Sequence, residues 1–124
     1  MKSEQSYQLI KCAYTVHSEL GPGLLESTYE SCLAYELKNS GFNVNCQVAL
    51  PLEYKGLEIG KGYRVDMIIN DQVILELKSI QEFKEVHFAQ LLAYLKLSKL
   101  SLGYLINFNV KYLKHGIKRI VNNY

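Results

Sequence analysis

Two apolar segments separated by three polar residues restrict this chain to a small set of folds. The first segment runs from about Gly62 to Ile69 and the second from Val73 to Ser79, with Asn70-Asp71-Gln72 between them. Both segments are rich in Val, Ile and Leu, as strands covered on both faces tend to be. We therefore expect a hairpin at the centre of a sheet, with other elements packed above and below it.

The flanking segments supply those covering elements. Apolar residues at helical spacing predict helices, and alternating apolar residues predict strands. The helices are expected at Tyr7–Leu20, Leu24–Asn39 and Lys84–Leu100, and the remaining strands at Val44–Tyr54, Leu102–Phe108 and Ile117–Val121. The expected order is therefore α-α-β-β-β-α-β-β, an α/β layer structure in which residues 1–124 form one domain.

Composition excludes several classes of protein. Residues 1–6 are polar and no run of about 18 apolar residues occurs, so we expect neither an ordinary signal peptide nor a membrane span. Three widely spaced cysteines fit neither a disulfide framework nor a C-x-x-C metal site. Buried free thiols in the reducing cytoplasm are the expected alternative, so we predict a cytoplasmic protein.

Positive charge is concentrated near the end of the sequence. The net charge of +2 is too small to indicate nucleic-acid binding by overall attraction. Residues 111–119 nevertheless contain five basic or imidazole side chains and no acid: Lys111, Lys114, His115, Lys118 and Arg119. This segment could contact phosphate groups, but a solvated basic terminus accounts for it equally well.

Charged residues inside the two central strands are the strongest indication of chemistry. Asp66 lies among apolar neighbours in the first strand, and Glu76 and Lys78 lie in the second. Because side chains alternate along a strand, Glu76 and Lys78 share one face. A three-residue connection lets Asp66 lie opposite Glu76 on that face, whereas a two-residue turn would separate them.

Two converging carboxylates repel each other unless a cation neutralises them. Mg²⁺ prefers oxygen ligands and binds through one or two carboxylates plus water and substrate phosphate, and Mn²⁺ is the other candidate ion. Lys78 would add positive charge beside the metal and help to hold or deprotonate an attacking water. The alternative is a structural charge pair between Glu76 and Lys78.

Asp66 followed by Glu76-Leu77-Lys78 resembles the PD-(D/E)xK nuclease superfamily, although Val65 precedes Asp66 in place of Pro. The segment Gly23-Leu24-Leu25-Glu26-Ser27-Thr28-Tyr29 resembles the G-x-x-E-x-x-Y signature of the GxxExxY proteins, a branch of that superfamily. Further similarities occur at Val16-His17, Leu20-Gly21-Pro22-Gly23, Tyr54-Lys55-Gly56, Gln90-Leu91-Leu92-Ala93-Tyr94-Leu95 and Ile106-Asn107-Phe108. The resemblance spans essentially the whole chain. It implies a restriction-endonuclease-like core, a central mixed sheet flanked by helices.

The resemblance also implies roles for individual residues. Asp66 and Glu76 would be metal ligands together with Glu26 from the helix before the sheet, although a carboxylate at a helix start is also favoured by the helix dipole alone. Lys78 would be the catalytic lysine, and Gln90 a polar residue that faces the site from the following helix. The implied activity is Mg²⁺-dependent hydrolysis of phosphodiester bonds in nucleic acid, with DNA expected ahead of RNA.

Some expectations remain open at this point. The alternative function is a nucleic-acid-binding or protein-interaction module that keeps the fold without cleaving. Because no sequence-reading motif accompanies the core, a homodimer or a larger protein partner is expected to supply specificity. We expect His17 and His87 to be structural, since neither has a second ligand at metal spacing, and Tyr29 to pack in the core with its hydroxyl bonded near the site.

Overall fold

The structure, a computed structural model, describes residues 1–123 apart from the side chains of residues 60 and 61. Its elements are α1 (Ser3–Leu20), α2 (Glu26–Asn39), β1 (Val44–Tyr54), β2 (Leu57–Ile69), β3 (Val73–Lys78), α3 (Glu85–Ser98), β4 (Leu102–Asn107), a 3-10 turn (Leu113–His115) and β5 (Ile117–Val121). The predicted order of helices and strands is confirmed.

Two elements begin earlier than the sequence pattern indicated. Helix α1 begins at Ser3, because the polar residues before Tyr7 form one further exposed turn. Strand β2 begins at Leu57, which pairs directly with Tyr54 across a tight turn. That turn places Lys55 and Gly56 at φ values of 50° and 83°, in the left-handed region that lets a chain reverse within two residues.

The five strands form one mixed sheet in the order β1-β2-β3-β4-β5. Strands β3 and β4 are parallel and are connected through α3, whereas the other neighbouring strands are antiparallel. Helices α1 and α2 pack on one face of the sheet with Met67 and Leu75, and α3 packs on the other with Ile68 and Ile74. The chain therefore has the predicted restriction-endonuclease-like architecture, a central mixed sheet flanked by helices.

The connection between β2 and β3 sets the register of the sheet's centre. Ile69 pairs with Val73, so the connection contains the three residues predicted. Asn70 and Asp71 have φ values of 52° and 54°, a conformation that Asn and Asp tolerate better than most residues. Asn70 is also fixed to Asn43, whose backbone N–H donates to Asn70 Oδ1 at 2.8 Å.

Tyr29 fixes the loop between the first two helices. Its ring is fully buried and stacks on Phe108 at 4.5 Å between centroids. The Tyr29 hydroxyl donates to the Gly21 carbonyl at 2.6 Å and accepts from the Leu24 N–H at 3.1 Å. Gly21 and Gly23 have φ values of 66° and 102°, which glycine adopts without strain, so this loop is intrinsically flexible. The two hydrogen bonds of the Tyr29 hydroxyl, which we call the Tyr29 clasp, hold it in one conformation. The predicted core position of Tyr29 is confirmed.

The three cysteines are free, but they do not share one environment. Cys12 is buried, Cys32 is half-buried and Cys46 is exposed. The expectation that all three thiols are buried is therefore wrong for Cys46, because β1 is an outer strand of the sheet and leaves this side chain in solvent.

Within residues 1–123, no helix has both the length and the apolar character needed to cross a membrane.

We expect Tyr29→Phe to lower the free energy of unfolding by about 1–3 kcal/mol, because it leaves the Gly21 carbonyl and the Leu24 N–H without their shared partner. Tyr35→Phe is the matched control, since Tyr35 lies on the same helix and is 63% exposed. Urea unfolding of both variants measures the difference. Equal stability of the two variants would show that the clasp contributes nothing.

Candidate active site

Asp66 and Glu76 meet in the interior of the sheet. The β2–β3 ladder pairs Met67 with Leu75, and one further step in this register places Asp66 opposite Glu76. The two carboxyl groups are in hydrogen-bond contact, and Glu76 is only 5% exposed. Glu76 shares its face of β3 with Ile74, which packs against α3. The convergence expected from the three-residue connection is therefore found.

Asp66 also takes the place of a backbone partner. The backbone pairs of β2 with β3 end at Met67 and Leu75, whereas β3 remains paired with β4 as far as Lys78. Past the Met67–Leu75 pair, the Leu77 N–H on β3 donates to the Asp66 side chain, at 2.8 Å from Oδ2. This bond fixes the Asp66 carboxylate where the two strands stop pairing, and it satisfies a donor that would otherwise be left without a partner.

The environment of Glu76 strongly favours its protonated form. The pKa of Glu76 is raised to about 9, mainly by burial and also by the charge and side-chain hydrogen bond of Asp66, although the positive charge of Lys78 and a backbone hydrogen bond of Asp66 lower it. Oxygen Oε1 of Glu76 is buried and has no hydrogen-bond partner among the described residues. A buried oxygen without a partner, next to a second carboxyl group, fits a bound cation well.

Two residues that the sequence did not single out complete the surroundings of Asp66. Gln47 Nε2 donates to Glu30 Oε1 at 2.7 Å and lies 3.5 Å from Asp66 Oδ1. Burial raises the pKa of Glu30, the Gln47 hydrogen bond opposes this shift, and the charge of Asp66 adds to it. Glu30 follows Glu26 by one helical turn, a spacing that could have marked it as a neighbour of the same site.

The backbone conformation of Gln47 explains why the sequence pattern does not indicate it as a neighbour of the site. Gln47 lies within β1 but has a φ value of 53°, and the β1–β2 register passes from Cys46 to Val48 without a partner for it. Arg64 Nη1 donates to the Gln47 carbonyl at 3.0 Å and supports this conformation. A left-handed non-glycine residue within a strand is strained, and such residues concentrate at functional sites.

The side chain of Glu26 reaches the end of β3, where it binds a backbone group and not the Asp66–Glu76 pair. It is the first residue of α2, and its Oε2 accepts from the Ser79 N–H at 3.4 Å. Ser79 Oγ in turn donates to the Leu24 carbonyl at 2.7 Å. Residues 1–123 contain no group of three or more His, Cys, Asp or Glu side chains arranged to hold a metal. The structure thus brings two of the three predicted carboxylates together, and a ligand role for Glu26 stays a prediction.

Lys78 is held at the mouth of this site by its backbone. It is the half-buried last residue of β3, and its carbonyl accepts from the Phe108 N–H at 3.0 Å. The next strand adds a second anchor through Asn107, which is 2% exposed. The Asn107 side chain accepts from the Ile80 N–H at 3.1 Å and donates to the Ile80 carbonyl at 2.9 Å. The segment that follows Lys78 is therefore fixed on both sides.

Helix α3 covers the carboxyl pair with Tyr94 and Gln90. Burial raises the pKa of Tyr94, and the charges of Glu76, Tyr63 and Asp66 raise it further, while a hydrogen bond from Gln90 opposes the shift. Gln90 therefore borders the site, and its side chain is exposed although its neighbours on α3 are largely apolar. The reason is that Tyr94, one turn further along α3, fills the buried position.

His17 and His87, both outside this site, have structural partners, as expected. A His17 ring nitrogen lies 2.7 Å from the Val110 carbonyl and ties α1 to the segment after β4. His87 Nδ1 accepts from the Lys84 N–H at 2.9 Å and caps the start of α3. Each imidazole therefore stabilises a junction between elements.

Comparison with known families identifies the group to which this fold and site belong. The family model of the PD-(D/E)XK nuclease superfamily matches residues 3–120. This region contains the helices, nearly all of the sheet, and the charged residues on β2 and β3. The chain belongs to the PD-(D/E)XK nuclease superfamily. No curated protein gives a significant match to it. Membership indicates nuclease activity on a nucleic-acid substrate, and nucleases of this superfamily typically use divalent metals.

The raised pKa of Glu76 predicts how stability depends on pH without metal. Between about pH 4.5 and pH 9 the folded protein keeps this proton while the unfolded chain releases it. The free energy of unfolding should therefore fall as pH rises through this range, by at most about 1.4 kcal/mol per unit from this group. Glu76→Gln should flatten that slope and raise stability at pH 8.

Urea unfolding in EDTA at pH 5.5, 7 and 8.5 measures this dependence. Glu82→Gln is the control, because Glu82 is exposed in the loop before α3 and should leave the slope unchanged. A Glu76→Gln variant that is several kcal/mol less stable at every pH would instead indicate a structural buried charge pair.

Proposed function

We propose that this protein is a Mg²⁺-dependent nuclease that hydrolyses phosphodiester bonds of DNA, with Mn²⁺ as an alternative ion and RNA as the other candidate substrate. Superfamily membership supports hydrolysis of nucleic acid. The observation that carries the proposal is the contact between Asp66 and Glu76, in which Glu76 Oε1 is buried without a partner. A divalent cation would allow both carboxyl groups to be ionised side by side and would give the unsatisfied oxygen a partner.

Each residue of the site has a distinct task in this proposal. Asp66 and Glu76 would hold the ion, and Glu26 would contribute from the end of β3, directly or through water. When bound, the ion supplies Lewis acidity and a more acidic water. Lys78 orients the attacking water and stabilises negative charge that develops on the phosphate.

The remaining polar residues act by positioning. Gln47 holds Glu30 and approaches Asp66, so the carboxylate keeps one orientation. Gln90 and Tyr94 lie on α3 near the pair, and in this proposal they would contact substrate or its bound water. Such surrounding groups commonly change metal affinity or activity by about 10–100-fold when removed.

We also assign the chain to the GxxExxY branch, with residues 1–124 as one nuclease domain. Each residue of the motif has a structural reason: Gly23 adopts a positive φ, Glu26 accepts from Ser79, and the Tyr29 hydroxyl clasps the loop. A cytoplasmic location, and a homodimer or larger partner that delivers the substrate, remain part of this proposal.

A non-cleaving binding module is the second candidate. It is favoured by one observation, the lack of a preassembled three-ligand cluster among residues 1–123. A binding module, however, has no use for two carboxyl groups in contact inside a sheet, and keeping Glu76 protonated beside Asp66 at neutral pH costs stability. We therefore favour the enzyme.

The division of labour predicts different losses for different variants. Asp66→Asn and Glu76→Gln should lose both Mg²⁺ binding and cleavage, because each removes a ligand. Lys78→Ala should lose cleavage while metal binding survives or tightens, because it removes a competing positive charge. Lys38→Ala, an exposed lysine in the last turn of α2, is the control and should change neither.

Isothermal titration with Mg²⁺ or Mn²⁺, run beside cleavage of plasmid and single-stranded DNA, tests these losses on the same samples. Cleavage that persists in Lys78→Ala, or that needs no divalent ion, would contradict the mechanism. Metal binding without cleavage of any substrate by the unmutated protein would favour the binding module.

A further inference from the structure

A groove of about 530 Å³ lies between the end of α1 and the segment that follows β4. We call it the basic groove, and we define it by Tyr14, His17, Gly21-Pro22 and residues 111–114. Its volume falls within the range of about 300–1,000 Å³ that is typical of ligand sites. The nuclease site proposed above does not include these residues.

The walls of the basic groove are fixed in place. His17 on one wall is bonded to the Val110 carbonyl at 2.7 Å, directly before Lys111 on the other wall. The Tyr29 hydroxyl holds Gly21 through its carbonyl. The groove therefore exists before a ligand arrives, which lowers the entropic cost of binding.

The charge and the aromatic rings of the basic groove suit one kind of ligand. Lys111 and Lys114 are exposed, and no Asp or Glu is found among the described residues that line the groove. Tyr14 is 40% exposed and Tyr112 is 56% exposed, with Lys111 Nζ 5.5 Å from the centre of the Tyr112 ring. Positive charge together with partly exposed aromatic rings is typical of surfaces that bind single-stranded nucleic acid.

The basic groove is connected to the candidate active site through both of its walls. On one side, the Tyr29 clasp joins Gly21 to Leu24, and the Leu24 carbonyl accepts from Ser79, the residue after Lys78. On the other side, Lys78 pairs with the last residue of β4, and the chain then continues directly into residues 108–114. Both walls of the groove are therefore joined to the end of β3 that carries Lys78.

We propose that the basic groove binds the single-stranded segment of nucleic acid that leads away from the cleaved phosphate. Lys111 and Lys114 contact its phosphates, and an unpaired base stacks on Tyr112. A duplex offers no free base face to such a ring, so the groove selects substrates with an unpaired strand. This inference rests on the proposed nuclease function for its substrate, but its test is separate.

Binding of a fluorescently labelled single-stranded DNA oligonucleotide, measured by anisotropy in EDTA over 50–200 mM salt, tests the inference without cleavage. Lys111→Gln/Lys114→Gln should weaken binding about tenfold or more and reduce the slope of log affinity against log salt by about 1.4, or about 0.7 per phosphate contact. Tyr112→Leu should weaken binding about tenfold while leaving this slope unchanged.

Matched controls lie at the other end of the helices. Lys2→Gln/Lys38→Gln removes the same charge from the start of α1 and the end of α2, and Lys38 is about 18 Å from Glu26 along the axis of α2. Tyr7→Leu removes a tyrosine that is 66% exposed near the start of α1. Both controls should bind the oligonucleotide as the unmutated protein does, and thermal unfolding should show that every variant is folded.

The outcomes separate the groove from the nuclease function. Groove variants that bind like their controls, an unmutated protein that does not bind single-stranded DNA, or tighter binding of blunt duplex would each overturn the inference. Cleavage with Mg²⁺ could persist in any of these cases and would leave the nuclease function standing. Loss of binding in the groove variants alone, with no cleavage by the unmutated protein, would support the groove and contradict the nuclease proposal.

Discussion

The contact between the Asp66 and Glu76 carboxyl groups is the constraint around which the centre of the sheet is built. Burying two acids together is unfavourable unless one is neutral or a cation intervenes. Without a cation, the raised pKa of Glu76 keeps it protonated at neutral pH. Asp66 keeps its place because it accepts from the Leu77 N–H, so the backbone ladder itself ends at the site. A divalent ion bound between the two carboxyl groups would remove the cost of burying them together.

The neighbouring elements are fixed mainly by hydrogen bonds to backbone groups. The Tyr29 clasp sets the start of α2, and the Asn107 side chain binds both backbone groups of Ile80 after β3. Buried side chains that satisfy backbone groups make loops rigid, because moving them would leave polar atoms without partners. Gln47 differs from these residues because its own backbone, beside Asp66, is in a strained left-handed conformation. Rigid loops and one strained residue together orient the acids.

Much of this architecture is readable from the sequence, because strand alternation and connection length act locally. The three residues between β2 and β3 determine that Asp66 and Glu76 share a face, and the register confirms it. The parts that escaped prediction depend on geometry with no local pattern. Gln47 reaches the site only through its unusual φ value, and the rotation of α3 about its axis places Tyr94 inward and leaves Gln90 exposed. Exposure of Cys46 likewise follows from strand order, which the sequence does not reveal.

The choice between a structural charge pair and a catalytic site depends on a single oxygen atom. A structural pair would use Lys78 to satisfy the buried Glu76 carboxyl group, as buried charges require. Glu76 Oε1 instead has no partner among the described residues, and the charge of Lys78 does not reverse the upward shift in the pKa of Glu76. Native proteins leave few buried oxygens unsatisfied, and the exceptions concentrate where a ligand, ion or reacting group belongs. The position of Lys78 at the end of β3, with Glu76 Oε1 left without a partner, therefore supports the catalytic role that we propose for Lys78 over a structural one.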